Sequence, residues 1–175
     1  KGGGDIYNPE FFKALKAVTD DIFFIPGIDR ATVASLFTPN VRFIEVIEEG
    51  FSGGNVIHAE FSGTPEDLAR VRVNVLKSGY VGRLVANDFK GALVSAELLE
   101  IEPSSGKKLN YAEVAQKLEE IRAKYQNDKI DVHIIGFAKA VGDIVDGAIG
   151  VLLFFFIAFL ITSALLYWYS GSLKL

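Results

Sequence analysis

The sequence predicts an α+β domain followed by one membrane-spanning α-helix, and three observations carry that reading. The first is a run without charge at residues 148–169, AIGVLLFFFIAFLITSALLYWY, since roughly 20 apolar residues suffice for a helix to cross a hydrocarbon core about 30 Å thick. The second is that helical and strand-like hydrophobic spacings follow one another through residues 9–135. The third is size and balance. A chain of 175 residues, half of them hydrophobic and with net charge −4, suits one compact extramembrane domain and one membrane helix.

The uncharged window extends over residues 147–173 and closes on Tyr167, Trp168 and Tyr169, an aromatic cluster suited to the headgroup level. Phe154, Phe155, Phe156, Phe159 and Leu160 go all the way round the helix, leaving no polar stripe of the kind a soluble core helix keeps. Lys139, Asp143 and Asp146 precede the run and Lys174 follows it, which favours the Leu175 side as cytoplasmic.

Residues 1–5 form a glycine-rich lead that could close a strand lying upstream. Asn8 and Pro9 supply a cap and a first helical residue, and Phe11, Leu15, Val18 and Ile22 give a buried stripe that ends before Pro26 and Gly27. Residues 30–37, 41–47 and 55–61 read as strands, the last two separated by a turn at Gly50, Gly53 and Gly54. Thr64, Pro65 and Asp67 open a second helix with Leu68, Val71, Val75 and Leu76 inward and Gly79 at its end.

Residues 81–86 and 92–101 are two further apolar segments, the second the longest strand candidate. After a polar turn at 103–108, Asn110 and Glu113 form a capping box for a third helix. Its stripe is Val114, Leu118, Ile121 and Tyr125, with Leu118 at the centre. Residues 129–135 alternate as a strand that Gly136 breaks. With one more strand before Lys1, this order is the split βαβ of a ferredoxin-like domain carrying an insertion between its halves.

Composition narrows function. No cysteine is present, so there is no disulfide framework, thiolate metal site or cysteine redox chemistry. Acidic and basic residues are interspersed without a basic stripe, which argues against nucleic acid. The chain begins at Lys1 without Met and reads as an excerpt of a longer protein.

Four stretches, YNPEFFKALKAVTDDIFFIPGIDRATVASL, RVRVNVLKSGYVGRLVANDFKGALVSAEL, YAEVAQKLEEI and IDVHIIGFAKAVGDIVDGAIGVLLFFF, together resemble the first large periplasmic loop of resistance-nodulation-division (RND) transporters. The nearest branch is the MMPL-like, predicted-exporter group. The resemblance covers essentially the whole chain, although none of its motifs is specific alone. It implies a periplasmic porter-type domain at 1–136, a connector at 137–147, a second membrane helix at 148–169 and the start of a cytoplasmic loop at 170–175. It further implies an inner-membrane exporter of bacteria that moves hydrophobic or lipid-like molecules, driven by ion flux through helices outside this chain. The expected partners are membrane lipid, the remainder of the transporter, an apolar or lipid cargo, and a further copy in a homo-oligomer. The competing class is a single-pass, membrane-anchored binding or assembly subunit.

No catalytic, cofactor or metal residue is expected, and the protein is read as not an enzyme. His58 and His133 lack neighbouring ligands at metal spacing and read as solvated strand positions. Ser52, Ser62 and Ser95 lack a nucleophile-elbow context, and the glycines at 2–4 and 50–54 lack phosphate-loop spacing. Thr162 and Ser163 read as hydroxyls bonded back to helix carbonyls. Asp143 and Asp146, one turn apart before the membrane, read as a solvated helix end rather than an ion pathway. Arg70, Arg72, Lys77 and Arg83 read as a solvated edge rather than a lipid or acidic-partner site. Gly136, Gly142 and Gly147 leave two readings of the connector open: a hinge coupling domain movement to the membrane helix, or a rigid helix packed by Phe137, Val141, Ile144 and Val145.

Overall fold

A computed structural model describes residues 4–103 and 105–170. Most of the glycine lead, Ser104 in the polar turn, and the tail with Lys174 therefore lie outside the described residues. The protein is mixed helix and sheet, with helices α1 (Pro9–Phe23), α2 (Pro65–Ser78), α3 (Tyr111–Tyr125) and α4 (Phe137–Ser170) and strands β1 (Arg42–Ile47) and β2 (Gly50–Asn55). It divides into two units, one of Lys1–Leu109 with Lys117–His133 and one of Asn110–Gln116 with Ile134–Leu175.

The helices begin where their caps dictate. Phe11 N–H donates to Asn8 Oδ1 at 2.8 Å with Pro9 as first residue. Asp67 N–H donates to Thr64 Oγ1 at 3.2 Å and Thr64 N–H to Asp67 Oδ2 at 3.3 Å, completing the capping box of α2. Gly79 ends that helix at φ 72°, in the left-handed region where a Cβ is costly. Asn110 caps α3 differently from the expected box. Its Oδ1 accepts from Ala112 N–H, and its amide donates to the Glu113 carboxylate side chain.

The buried faces depart by small rotations from the expected stripes. In α1 they are Phe12, Leu15 and Thr19. Phe11 and Phe12 are both apolar, so spacing alone could not choose between them, and polar Thr19 is tolerated inside because its hydroxyl bonds Leu15 O at 2.7 Å and the Ser35 hydroxyl at 2.8 Å. In α2, Leu76 points outward at 58 % exposure. Asn74 is buried instead, satisfied by donating to Val56 O at 3.0 Å. In α3, Val114 and Ala115 are buried while Leu118 is only half-buried.

The strands differ more. β1 forms as expected, but its partner is the glycine-rich Gly50–Asn55 rather than residues 55–61. The antiparallel register runs from Arg42 opposite Asn55 to Ile47 opposite Gly50 around a Glu48 and Glu49 turn. A Cβ on Gly53 would lie 2.6 Å from Phe43 O, so glycine here serves close strand approach, not a turn. Residues 30–37 do not form a strand because Asp29 caps a short 3₁₀ turn at Arg30–Thr32, its Oδ1 accepting from Ala31 N–H at 3.0 Å. Residues 28–34 meet 92–101 through isolated bridges, Ile28 with Leu98 and Ala34 with Ser95, and Glu97 N–H donates to Thr32 Oγ1 at 2.9 Å. Residues 81–86 fold into a tight loop in which Gly82 N–H donates to Val85 O at 2.7 Å. Residues 129–135, expected as a strand, form no strand.

The core of the first unit gathers Ile6, Phe12, Leu36, Val56, Val71 and Val85 with their neighbours. Phe12, 1 % exposed, is its hub, with ring contacts to Tyr7, Phe11, Phe37 and Phe61 at 5.5–6.2 Å.

Candidate membrane site

Helix α4 has 34 residues and so measures about 51 Å, well beyond the roughly 30 Å of a hydrocarbon core. Its charges, Lys139, Asp143 and Asp146, all lie in the first ten residues. The uncharged remainder is long enough to span, and the charged first part, about 16 Å of helix, is the excess. Helix geometry is continuous across residues 137–147, so the stretch expected as a connector is the opening of the helix itself.

That opening is packed within the second unit. Phe137 meets the Tyr111 ring edge-on at 5.0 Å, Ala138 and Gly142 are buried, and a Cβ on Gly142 would fall 2.6 Å from the Ala115 Cβ. Small residues four apart let two helices approach closely, so Gly142 acts here as a packing surface. Asp143 pairs with Lys139 one turn back, and Asp146 is exposed. Neither carboxylate is buried in a pathway.

From Val151 to Tyr169 the large apolar side chains are exposed on every side, Phe154 at 77 % and Trp168 at 84 %. The Thr162 hydroxyl donates to Ala158 O at 2.9 Å, the back-bonding expected of a hydroxyl in an apolar solvent.

The other candidates are held by their own neighbours. Arg72 pairs with Asp5 at 3.1 Å and lies over the Tyr7 and Phe89 rings, Lys77 pairs with Glu45, and Arg83 lies over Tyr80. Arg70 is exposed on α2. His133 is exposed outside any helix or strand; among the described residues none of Ser52, Ser62 and Ser95 bonds a histidine directly, Ser52 and Ser95 lying on strand-like segments and Ser62 sharing the Asp67 carboxylate with His58.

His58 is a correction: it is a half-buried loop residue, not a solvated strand position. Its Nε2 is 3.0 Å from Asp67 Oδ1, and its Nδ1 is buried without a partner. Asp67 also accepts from the Ser62 N–H at 3.0 Å and Ser62 hydroxyl at 2.8 Å, and these hydrogen bonds, with those of Thr64, hold its carboxyl well below the usual range. Sequence spacing could not reveal this, because Asp67 was already accounted for as a cap.

A second polar node was missed for want of any local signal. Asp21 Oδ2 accepts from Lys124 Nζ at 2.7 Å and Tyr125 Oη–H at 2.8 Å. The lysine's hydrogen bond lowers the Asp21 carboxyl, and the same bond raises Lys124. Asp21 and Lys124 edge an open groove of about 370 Å³ lined also by Phe24, Ile25, Pro26 and Ile121. Among the described residues no group of three His, Asp or Glu side chains is placed to hold a metal ion.

These features define a class: a mixed α and β protein with, among the described residues, one helix long and apolar enough to cross a membrane. No protein-family model, curated protein or solved structure matches the chain.

Proposed function

We propose that this chain is the extramembrane domain and following membrane helix of an RND-type exporter, MMPL-like, moving hydrophobic or amphiphilic molecules across a bacterial inner membrane. In this reading the first 147 residues face the periplasm, the chain performs no chemistry of its own, and the driving ions pass through helices elsewhere in the protein. The observation that carries the reading is α4. It is apolar on every side, devoid of charge after Asp146, and exposed through its whole second half, as expected of a helix solvated by lipid and by other membrane helices.

The ferredoxin-like, porter-type architecture belongs to the same proposal. Its support is the order of α1, α2 and α3 and the two antiparallel bridges that bring residues 28–34 against 95–98. The 3₁₀ turn at Arg30–Thr32 separates those bridges, which is how a strand pair of this topology would be interrupted. The packed start of α4 favours the rigid form of the connector, through which displacement of Tyr111 and Ala115 would be passed to the membrane helix without a hinge.

The test is the parent reading frame. Continuation past Leu175 into several further apolar helices, together with loss of export when an acidic residue in one of them is replaced, supports an exporter. A frame that stops shortly after Leu175 selects the single-pass subunit instead.

A further inference from the structure

The β1–β2 hairpin carries an apolar face that the first unit leaves uncovered. Register places Val46 opposite Phe51 and Ile44 opposite Gly53, so these side chains share one face. Ile44, Val46 and Phe51 are 69 %, 80 % and 81 % exposed. Three such side chains present on the order of 400 Å² of apolar surface, the size at which an exposed patch usually marks an interaction site.

The ends of this face are oppositely charged. Arg42 stands at its open end, opposite Asn55, and Glu48 and Glu49 form the turn at the other, about 20 Å away along the strand. None of the three makes an ion pair among the described residues, whereas Glu45 on the opposite face is paired with Lys77 of α2. An apolar stripe that is positive at one end and negative at the other is complementary to itself turned end for end. The acidic tip is also repelled by anionic headgroups, which disfavours a bilayer as occupant.

We infer that the hairpin face is a homotypic interface, in which two copies of the chain stack their hairpins face to face about a two-fold axis lying between the sheets and across the strands. That operation sets β1 antiparallel over β1 of the other copy and β2 over β2. Val46 then faces Ile44, each Arg42 meets the Glu48 and Glu49 turn of the other copy, and Phe51 lies over Gly53. Gly53, with no side chain, leaves a depression beside Ile44 that a phenyl ring fills. Shape and charge thus select the same operator. The area is below the roughly 800 Å² per partner of stable soluble complexes, so pairing is weak in free solution and is promoted when chains are concentrated by their membrane helices.

Charge reversal tests the operator. In detergent micelles, sedimentation of the full chain reports the dissociation constant of self-association. Arg42→Glu should weaken it about tenfold or more, as should Glu48→Lys with Glu49→Lys, and all three changes together should restore it. Phe51→Ser should weaken it without charge change, and the thermal melt of each variant checks that the fold is kept. Because the chain has no cysteine, Val46→Cys should cross-link between copies through a short bismaleimide while Leu76→Cys, also exposed but on α2, should not. A monomeric parent chain, association unmoved by every hairpin change, or failure of the triple reversal to rescue would overturn the interface; unmoved association would assign any pairing to α4.

Discussion

The aromatic core around Phe12 and the second half of α4 are built from the same residue types with opposite exposure. Phe12 is 1 % exposed and ringed by four aromatic side chains, while Phe154 is 77 % exposed. In water only the first arrangement is stable, since burying a phenyl side chain gains about 1.5–3 kcal/mol relative to leaving it exposed. The outward-facing rings of α4 carry no such penalty in hydrocarbon. The difference is the one expected if the two regions fold for two solvents, water for the first and, in the reading proposed above, hydrocarbon for the second, and it teaches that an exposed apolar surface is informative only once its solvent is named.

The comparison is broken most sharply at the hub. Phe12→Ala should destabilise the first unit by about 3–5 kcal/mol, read as a shift in chemical denaturation of the extramembrane fluorescence signal. The matching change in α4, Phe156→Ala, should leave that signal unmoved. Phe156→Lys, by contrast, should disfavour membrane insertion by about 2.5–3.5 kcal/mol, measured as the inserted fraction in microsomes, with the soluble fold intact.

Gly142 sits where the two environments meet on one helix. Alanine there would gain about 1 kcal/mol of helix propensity but drive a methyl group into Ala115, and overpacking costs about 1–3 kcal/mol. The expected result of Gly142→Ala is a net loss of thermal stability in the second unit, partly recovered by Ala115→Gly. A gain in stability would mean that the close approach of α3 and α4 is not maintained.

The smallest expected effect concerns Asp67, whose carboxyl is held low by its hydrogen bonds from Ser62 and Thr64. A carboxyl lowered on folding adds stability that is fully present above its unfolded value, near pH 3.9, and is lost as pH falls through the folded value. Asp67→Asn should therefore lower the melting temperature at neutral pH and flatten the acid limb of the stability profile below about pH 4. Parallel acid limbs for the variant and the parent chain would remove Asp67 from this role.

What was legible in the sequence follows the same division. Helix starts at Asn8, Thr64 and Asn110 could be read because a cap and its partner lie within three residues, and α4 because its composition is extreme. Buried faces were harder. Phe11 and Phe12 offered equivalent periodicities, and Asn74 displaced Leu76 because a backbone carbonyl at Val56 was waiting for a donor. Strands failed where a local interaction competed with pairing, as at Asp29, or where glycine served close approach, as at Gly53. His58 with Asp67 and Asp21 with Lys124 join residues 9 and 103 positions apart, contacts that no local spacing announces. The hairpin face was invisible for a further reason: alternation marks two faces of a strand without telling which is covered.

The absence of native cysteine permits the most direct measurement of the membrane claim, a single-cysteine scan along α4 in sealed vesicles with a membrane-impermeant maleimide. Exposed positions between 137 and 147 should label rapidly, and consecutive positions across 148–169 should resist on every face of the helix. Labelling that instead rises and falls every three to four residues through 148–169 would mean that α4 lies along an interface with one face in water, and would contradict a spanning helix.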